Sequence, residues 1–454
     1  MISLGVAYAG SSREDIKGLL MTAFDNQTNN MESLGLIALA LGLVFVGTGD
    51  AEISESFLSA FLEQTETALK STYARYLCLG LGLLYLGKQE VAELTIEALK
   101  AISGPIGKYA MLTVETCAYM GSGNVLKIQK LLADCGEHPT TTPEEEAQKE
   151  KERDAGKEKD KEKEEKEKEE QNKKMAHQGV AVLGIAGIAM CEDVGSQMSM
   201  RSFDHLLQYG EPSVRRAVPL AMALINVSNA DLGIMDTLSK LSHDHDPEVA
   251  MGAIFALGIV GAGTNNARIA QLLRQLASYY YKDPNMLFLV RIAQGLLHMG
   301  KGTIGAKPYH SERLLLNPVA TAGLLAVMHS GLDMKNIILG KSPYMMYLLS
   351  LAMYPRALIA VNEDGEPINV SVRVGQAVDV IGQAGKPKTI TGFQTHNTPV
   401  LLSHGERAEL ATDMYIPVAS ILEGVVIMKT NPDSKDAKKK KKEDAKATTD
   451  KTSS

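Results

Sequence analysis

The chain has 454 residues, of which 45% are hydrophobic and only 5% aromatic, and its formal charge is −7. This hydrophobic content excludes a wholly disordered chain, and the negative charge argues against nucleic acid as the default partner. Forty Gly, 21 Met and no Trp predict a core of small and flexible side chains in closely packed helices. Four Cys without a CxxC pair exclude a disulfide scaffold or a zinc ribbon and favour a reducing compartment.

The apolar segments are not typical of targeting or membrane spans. The first ten residues, MISLGVAYAG, are followed at once by Arg13, Glu14 and Asp15, which is the reverse of the order in a signal peptide. The longest apolar runs, 34–49 and 76–87, are shorter than the roughly 20 residues needed to cross a bilayer. The sequence therefore predicts a protein of the cytoplasm and nucleus that does not associate with membranes.

Up to about residue 303 one pattern recurs: a run of Ala, Gly and Leu, a Gly-centred turn, and then an amphipathic stretch. The runs lie at 4–11, 34–50, 76–88, 114–124, 179–193, 215–229, 251–266 and 290–303. Turn positions are 34–40 residues apart, at Gly10, Gly47, Gly87 and Gly121, and after an insert at Cys191, Val227, Gly261 and Gly300. That period is the length of a two-helix repeat. The pattern predicts an α-solenoid, curved or closed into a ring, with the small-residue helices inside.

The amphipathic stretches have the periodicity of helices with one buried face. We expect three such faces, formed by Ile53, Phe57, Leu58, Phe61 and Leu62, by Val125, Leu126, Ile128, Leu131 and Leu132, and by Ile269, Leu272, Leu273 and Leu276.

Three further segments differ from the repeats. Residues 144–174 contain 14 acidic and 11 basic side chains, too polar to offset the entropy of ordering. After about residue 356 the chain is rich in Val, Ile and Thr with turn signals, which predicts strands, the last of them at 423–429. A Lys-rich tail contains five lysines at 438–442. We divide the chain into repeats at 1–139, a disordered insert at 140–175, repeats and closing helices at 176–355, a β-rich domain at 356–431 and a disordered tail at 432–454.

Motifs for chemistry are weak. GLLHMGKG at 295–302 approaches the phosphate-binding GxxxxGK[ST], but Gly302 replaces Ser or Thr and no strand precedes it. GLLYLGKQ at 82–89 makes the same near-match in another repeat, so both are interpreted as helix ends with Gly87 and Gly300 in the terminal turn.

Other reactive side chains also favour structural interpretations. SHDHDPE at 242–248 is conceivable as a metal site, but Asp246-Pro247 is typical of a helix start. Three of the cysteines, Cys78, Cys117 and Cys191, lie in apolar runs, Cys135 lies apart from them, and His310, His396 and His404 form no catalytic pattern. We therefore predict no catalytic residues, no metal and no cofactor.

The most informative surface is on the helix at 52–63. Glu52, Glu55, Ser59 and Glu63 recur at helical spacing opposite Ile53, Phe57 and Phe61. Such a stripe is often only a solvated face. Carboxylates beside partly exposed apolar residues also suit a small basic partner with a hydrophobic patch.

The repeats resemble those of the proteasome/cyclosome repeat family, and the strings TNNARIAQLLRQLA (264–277) and GQAGKPKTITGFQT (382–395) are specific to it. The resemblance covers 1–431 apart from the charged insert. It implies a non-enzymatic scaffold of the proteasome regulatory particle base. The implied partners are the ATPase subunits and other regulatory-particle subunits, ubiquitin, ubiquitin-like domains of shuttle receptors and a deubiquitinase.

The resemblance also bears on site residues. A family pattern D-x6-D-x3-E, part of the ubiquitin-docking surface, falls on Glu52, Ser59 and Glu63, with Ser59 in place of an acid and Glu55 on the same face. About half the family's usual length precedes the matching region. We therefore expect an open arc and assign no residues to the deubiquitinase site, which the resemblance places in the missing half. The alternatives are a generic α-solenoid adaptor outside the proteasome and a nucleotide-binding enzyme using 295–301.

Overall fold

The computed structural model describes residues 1–26, 30–102, 104–138, 175–310, 315–378, 389–403 and 405–434. The charged insert at 144–174 and the five lysines at 438–442 lie outside these residues. In the described part, no helix is both long enough and apolar enough to cross a membrane.

Helices form most of the structure up to residue 331. In chain order they are α1 (Ile2–Ala7), α2 (Glu14–Asp25), α3 (Met31–Val44), α4 (Ala51–Glu63), α5 (Glu66–Leu69), α6 (Ala74–Leu84), α7 (Glu93–Leu99), α8 (Pro105–Ala118), α9 (Val125–Cys135), α10 (Ala176–Ala189), α11 (Asp193–Tyr209), α12 (Pro212–Ile225), α13 (Leu232–Leu241), α14 (Pro247–Val260), α15 (Ala267–Tyr279), α16 (Pro284–Leu297) and α17 (Pro318–Gly331).

The inner row of the solenoid consists of α1, α3, α6, α8, α10, α12, α14 and α16, each packed against the next. These are the Ala/Gly-rich runs, and α3, α10 and α14 are buried along nearly their whole length. Close approach explains the composition: a Cβ on Gly42 of α3 would lie 2.6 Å from the carbonyl oxygen of Gly80 in α6. Since α8 packs directly on α10, the stack continues across the charged insert.

The Gly-centred turns connect neighbouring repeats through backbone hydrogen bonds. The N–H of Gly10 donates to the carbonyl of Leu43, and the N–H of Gly47 donates to that of Leu83. Each turn therefore satisfies terminal carbonyls of the next inner helix, which have no partner within their own helix. The geometry needs a left-handed backbone at the donor, and Gly10, Gly47, Gly87 and Gly121 all have positive φ. In a later turn the left-handed residue is Gly263, two positions beyond the expected Gly261.

The outer row includes α2, α4, α7, α9, α11, α13 and α15. The predicted apolar face of α15 is confirmed, with Ile269, Leu273 and Leu276 buried. Two other expectations were wrong in part. Leu62 of α4, and Val125 and Leu126 of α9, are exposed rather than buried. The cause is position. Leu62 lies one residue, about 100° of helix, beyond the buried Phe61. Val125 and Leu126 are the first two residues of α9, whose buried residues, Leu131 and Cys135, lie in its second half.

A single helix, α17, lies against several inner helices at once. Its Ser330 Oγ is 2.8 Å from Tyr76 Oη of α6, and its His329 Nδ1 is 3.2 Å from Tyr109 Oη of α8. It also contacts α3 and α12. α17 has only 14 residues, about 21 Å of helix, and is too short to follow a straight stack of these inner helices. It can contact all of them only if the stack is curved and α17 lies on its concave side. The buried helix α17 therefore fills the inside of the arc.

The described strands form three sheets. They are β1 (Ile304–Ala306), β2 (Met353–Pro355), β3 (Ala357–Val361), β4 (Ser371–Val378), β5 (Thr389–Asn397), β6 (Val400–Leu401), β7 (Glu406–Leu410), β8 (Tyr415–Pro417) and β9 (Gly424–Thr430). The orders are β1-β2, β6-β3-β9-β8 and β5-β4-β7. The last strand lies where the sequence predicts it. In contrast, β1 and β2 pair within a region expected to be helical.

The two larger sheets enclose a second core, formed by Leu358, Ala360, Val370, Val372, Val374, Ala408, Val426 and Met428. Arg356 connects this β-rich region to the repeats by two hydrogen bonds. Its side-chain Nη1 donates to the carbonyl of Gly263 at 3.0 Å, and its backbone N–H donates to the carbonyl of Thr303 at 2.7 Å. The predicted fold class, a helical-repeat solenoid followed by a small β-rich region, is confirmed.

Candidate functional site

The acidic stripe lies on α4, and all four of its members, Glu52, Glu55, Ser59 and Glu63, are exposed. Opposite them Ile53, Phe57, Ala60 and Phe61 are buried against the repeat. The first and last carboxylates are eleven positions apart, so the stripe extends along about 16 Å of helix. The sequence interpretation of which α4 residues face solvent is therefore correct for this stripe.

The first carboxylate of the stripe is already engaged by a lysine. Lys17 of α2 is nearly buried, and its Nζ lies 2.8 Å from Glu52 Oε2 and 2.7 Å from Asp50 Oδ2. The hydrogen bond to Asp50, followed by that to Glu52, raises the pKa of Lys17, so its ammonium stays charged. Asp50 also caps α4 by accepting from the N–H of Ile53. The sequence did not indicate this cluster, because Lys17 lies on the preceding outer helix.

The remaining carboxylates are available to a partner. Among the described residues, Glu55 and Glu63 have no ion pair within 4.0 Å, and Ser59 lies between them on the same exposed face. Leu62, adjacent to Glu63, is 70% exposed. This end of α4 therefore combines free negative charge with an exposed aliphatic side chain.

The neighbouring outer helix extends the surface. The turn at Gln89–Ala92 and helix α7 expose Val91 and Leu94, the latter by 85%, beside the exposed Glu93 and Glu97. A buried chain of hydroxyl groups fixes α7 to α4: Thr95 Oγ1 donates to Tyr85 Oη at 2.8 Å, and Tyr85 Oη donates to Ser54 Oγ at 3.1 Å. We call the exposed side chains of both helices (Glu52, Glu55, Ser59, Leu62, Glu63, Val91, Glu93, Leu94 and Glu97) the α4–α7 surface. The sequence does not predict the α7 half, because the 3.6-residue period of one helix does not show which neighbouring helix continues its exposed face.

The other sequence candidates have structural roles. Asp246 caps α14 by accepting from the N–H of Glu248 at 2.9 Å and binds Arg216 Nε at 2.7 Å. The rings of His243 and Tyr279 pack 5.0 Å apart. No group of three or more metal-ligating side chains occurs in the described residues.

The near-matches to the phosphate-binding motif are helix ends. Gly87 and Gly300 both have positive φ in the turns after α6 and α16, and neither segment follows a strand. All four cysteines are free and buried, and burial raises the pKa of both Cys117 and Cys135 to about 12. His310 lies 3.6 Å from Glu423, His396 is on the exposed strand β5, and His404 lies outside the described residues.

The fold and the repeat turns define a helical-repeat protein of the proteasome/cyclosome type. Residues 252–284 match the proteasome/cyclosome repeat, and residues 381–434 match the C-terminal region of the 26S proteasome non-ATPase regulatory subunit RPN1. The chain belongs to the family of the 26S proteasome non-ATPase regulatory subunit 2, which is called RPN1 in fungi.

Similarity to these relatives extends over nearly the whole chain. The chain is 53% identical to the 26S proteasome non-ATPase regulatory subunit 2 of Dictyostelium discoideum over 96% of its own length and 45% of the relative's. Homolog A of Arabidopsis thaliana is 51% identical, over 92% of this chain and 43% of the relative. RPN1 of Schizosaccharomyces pombe is 49% identical, over 94% and 45% respectively. The chain thus spans about half the length of the relatives it matches.

Proposed function

We propose that this chain is a non-catalytic scaffold and receptor of the proteasome regulatory particle, and that the α4–α7 surface docks ubiquitin and ubiquitin-like domains. The observation that carries the proposal is the exposed row of carboxylates on α4, in a chain about half identical to proteasome regulatory subunits named as non-ATPase. The curved stack of repeats offers outer helices to partners while α17 and the inner row hold them rigidly. Substrate-bearing partners and the ATPases would thus be brought together by binding alone, in the cytoplasm and nucleus.

The chemistry of the surface fits such partners. A ubiquitin-like domain with a basic, hydrophobic patch would place its cations on Glu55 and Glu63 and its aliphatic side chains on Leu62 and Leu94. Exposed ion pairs contribute only about 0–1 kcal/mol each and are screened by salt. We therefore expect moderate affinity and rapid exchange, which suit a receptor that passes cargo onward.

The decisive test is titration of an isotope-labelled ubiquitin-like domain with the full chain, followed by NMR. Glu52→Arg with Glu63→Arg should weaken binding by about tenfold, since the attraction of about 0.5 kcal/mol at Glu63 becomes a repulsion of similar size and the arginine at position 52, where the carboxylate was paired with Lys17, adds a second repulsion. Glu55→Arg with Glu63→Arg should act similarly while leaving the cluster of Lys17 and Asp50 intact. This second pair separates loss of contact from loss of folding.

A matched control is available on other outer helices. Asp204 of α11 and Asp236 of α13 are exposed, so reversing both changes the net charge equally but away from the α4–α7 surface. The control pair should leave the affinity unchanged. If the α4 pairs and the control pair bind equally well, the docking site lies elsewhere. Recovery of proteasome ATPase subunits on affinity purification of the chain tests scaffold membership separately, and their absence would favour an adaptor outside the proteasome.

A further inference from the structure

The outer face of the sheet β6-β3-β9-β8 is apolar and bare. Direct pairing puts Ile359 opposite Val425 and Val361 opposite Ile427, so these side chains share one face. The alternating residues Leu358, Ala360, Val426 and Met428 point the other way, into the second core. Exposed fractions on the outer face are high for aliphatic side chains, at 63% for Leu401, 61% for Val425, 58% for Val418, 49% for Ile416 and 45% for Ile427.

This exposure is unusual for the sequence of β9. Val425, Val426, Ile427 and Met428 are four successive apolar residues, and such a run is typical of strands covered on both faces. Here the inner face is covered by the sheet β5-β4-β7, whereas no described element covers the outer face. Soluble proteins rarely expose a contiguous apolar patch of this kind, and where one occurs it usually marks an interaction site.

The charged residues around the patch indicate the sign of the charge that a partner should carry. The turn that follows β3 exposes Glu363, Asp364 and Glu366 at the edge where β3 and β9 end. Lys429, the described cation at that edge, is paired with Glu363 at 3.0 Å. After this pairing, Asp364 and Glu366 still give the edge a net negative charge beside the aliphatic face. A partner that carries cations next to its apolar residues would therefore be complementary to the face and its edge.

The dimensions of the face indicate the length of the partner. β9 has seven residues, which is about 23 Å at roughly 3.3 Å per residue. A helix rises 1.5 Å per residue, so one of about 14–15 residues would lie along β9 with one end beside the turn 362–366. We infer that this face binds an amphipathic helix of another protein, with its apolar stripe on Val425 and Ile427 and with lysines or arginines at the end near the turn 362–366. This site is separate from the α4–α7 surface and does not depend on the function proposed for it.

The probe is a fluorescent 14-residue helical peptide with a leucine stripe and lysines in its last turn, measured by anisotropy with the full chain. Val425→Thr with Ile427→Thr keeps β-branching but makes the patch polar, and should raise the Kd at least tenfold. Val194→Thr, at an equally exposed valine on α11, is the control and should leave the Kd unchanged. Glu363→Gln with Glu366→Gln should weaken binding twofold to fivefold and reduce its salt dependence.

Several results would overturn the inference. These are no saturable binding at tens of micromolar, equal binding of a scrambled peptide without the stripe, or equal binding of a peptide with glutamates in place of lysines. Insensitivity to the Val425 and Ile427 substitutions would also overturn it. Sedimentation of the chain alone gives a further outcome, since a dimer that dissociates in this double variant would assign the face to a second copy instead.

Discussion

Replacing Gly80 by Ala tests whether the small residues of the inner helices are required for packing. A Cβ on Gly80 in α6 would lie 2.5 Å from the carbonyl oxygen of Ala38 in α3, whereas ordinary contact begins at 3.4 Å. The obstacle is backbone, so α3 and α6 would have to separate by about 0.9 Å. Overpacking of this kind costs about 1–3 kcal/mol. The cost exceeds the gain of up to about 1 kcal/mol that Ala has over Gly within a helix.

The same substitution at Gly295 is the matched control. Gly295 is also inside a helix, α16, but it is exposed and a Cβ there would meet nothing within 4 Å. Gly295→Ala should therefore stabilise the chain by up to about 1 kcal/mol, while Gly80→Ala destabilises it. Urea unfolding followed by circular dichroism measures both, and hydrogen exchange locates the effect in α3 and α6. If Gly80→Ala were as stabilising as Gly295→Ala, helix propensity rather than packing would explain the glycines.

Three other perturbations test the core, a buried ion pair and the junction to the sheets. The four buried cysteines should resist a thiol reagent in the native chain and react fully in guanidinium, so one fast thiol would contradict their burial. Burial alone would raise the pKa of Glu115, but hydrogen bonds from Lys127 and Lys130 outweigh it and lower that pKa. Glu115→Gln should thus cost about 1–3 kcal/mol at pH 7. In urea titrations this wild-type advantage, complete above the unfolded pKa near 4.5, should disappear as pH falls through the folded pKa; a constant difference down to pH 3 would refute it. Arg356→Ala should speed proteolysis near residue 356 more than Arg356→Lys, because the guanidinium holds Gly263, and equal cleavage rates would refute that role.

Local patterns predicted the features that depend on nearest neighbours in the chain. The Ala/Gly-rich runs became the inner helices because a helix apolar on all sides has to be surrounded. Gly10, Gly47, Gly87 and Gly121 marked the repeat turns because each adopts a backbone that favours Gly. The exposed stripe on α4 followed from the same 3.6-residue period. In each case the physical cause acts within about four residues.

Features set by distant neighbours were missed. Leu62 fits the apolar period of α4 but is exposed, since the inner row covers only the arc of α4 centred on Phe57. Lys17 forms an ion pair with Glu52, so Glu52 is not a free carboxylate of the stripe, although the two residues are 35 positions apart in the sequence. No local signal placed α17 on the concave side, because its contacts with Tyr76 and Tyr109 join segments more than 200 residues apart.

The β-rich region shows why the apolar sheet face was not foreseen. The sequence predicts a strand at 423–429, but Val425, Val426, Ile427 and Met428 are all apolar, so the pattern cannot say which pair is inside. The answer comes from the parallel pairing with β3, about 65 positions earlier, which turns Val426 and Met428 toward β4. A strand that is apolar on both faces is expected where both are covered. The sequence of β9 therefore already fits a sheet with a layer on each side, and among the described residues only the inner layer, the sheet β5-β4-β7, is present.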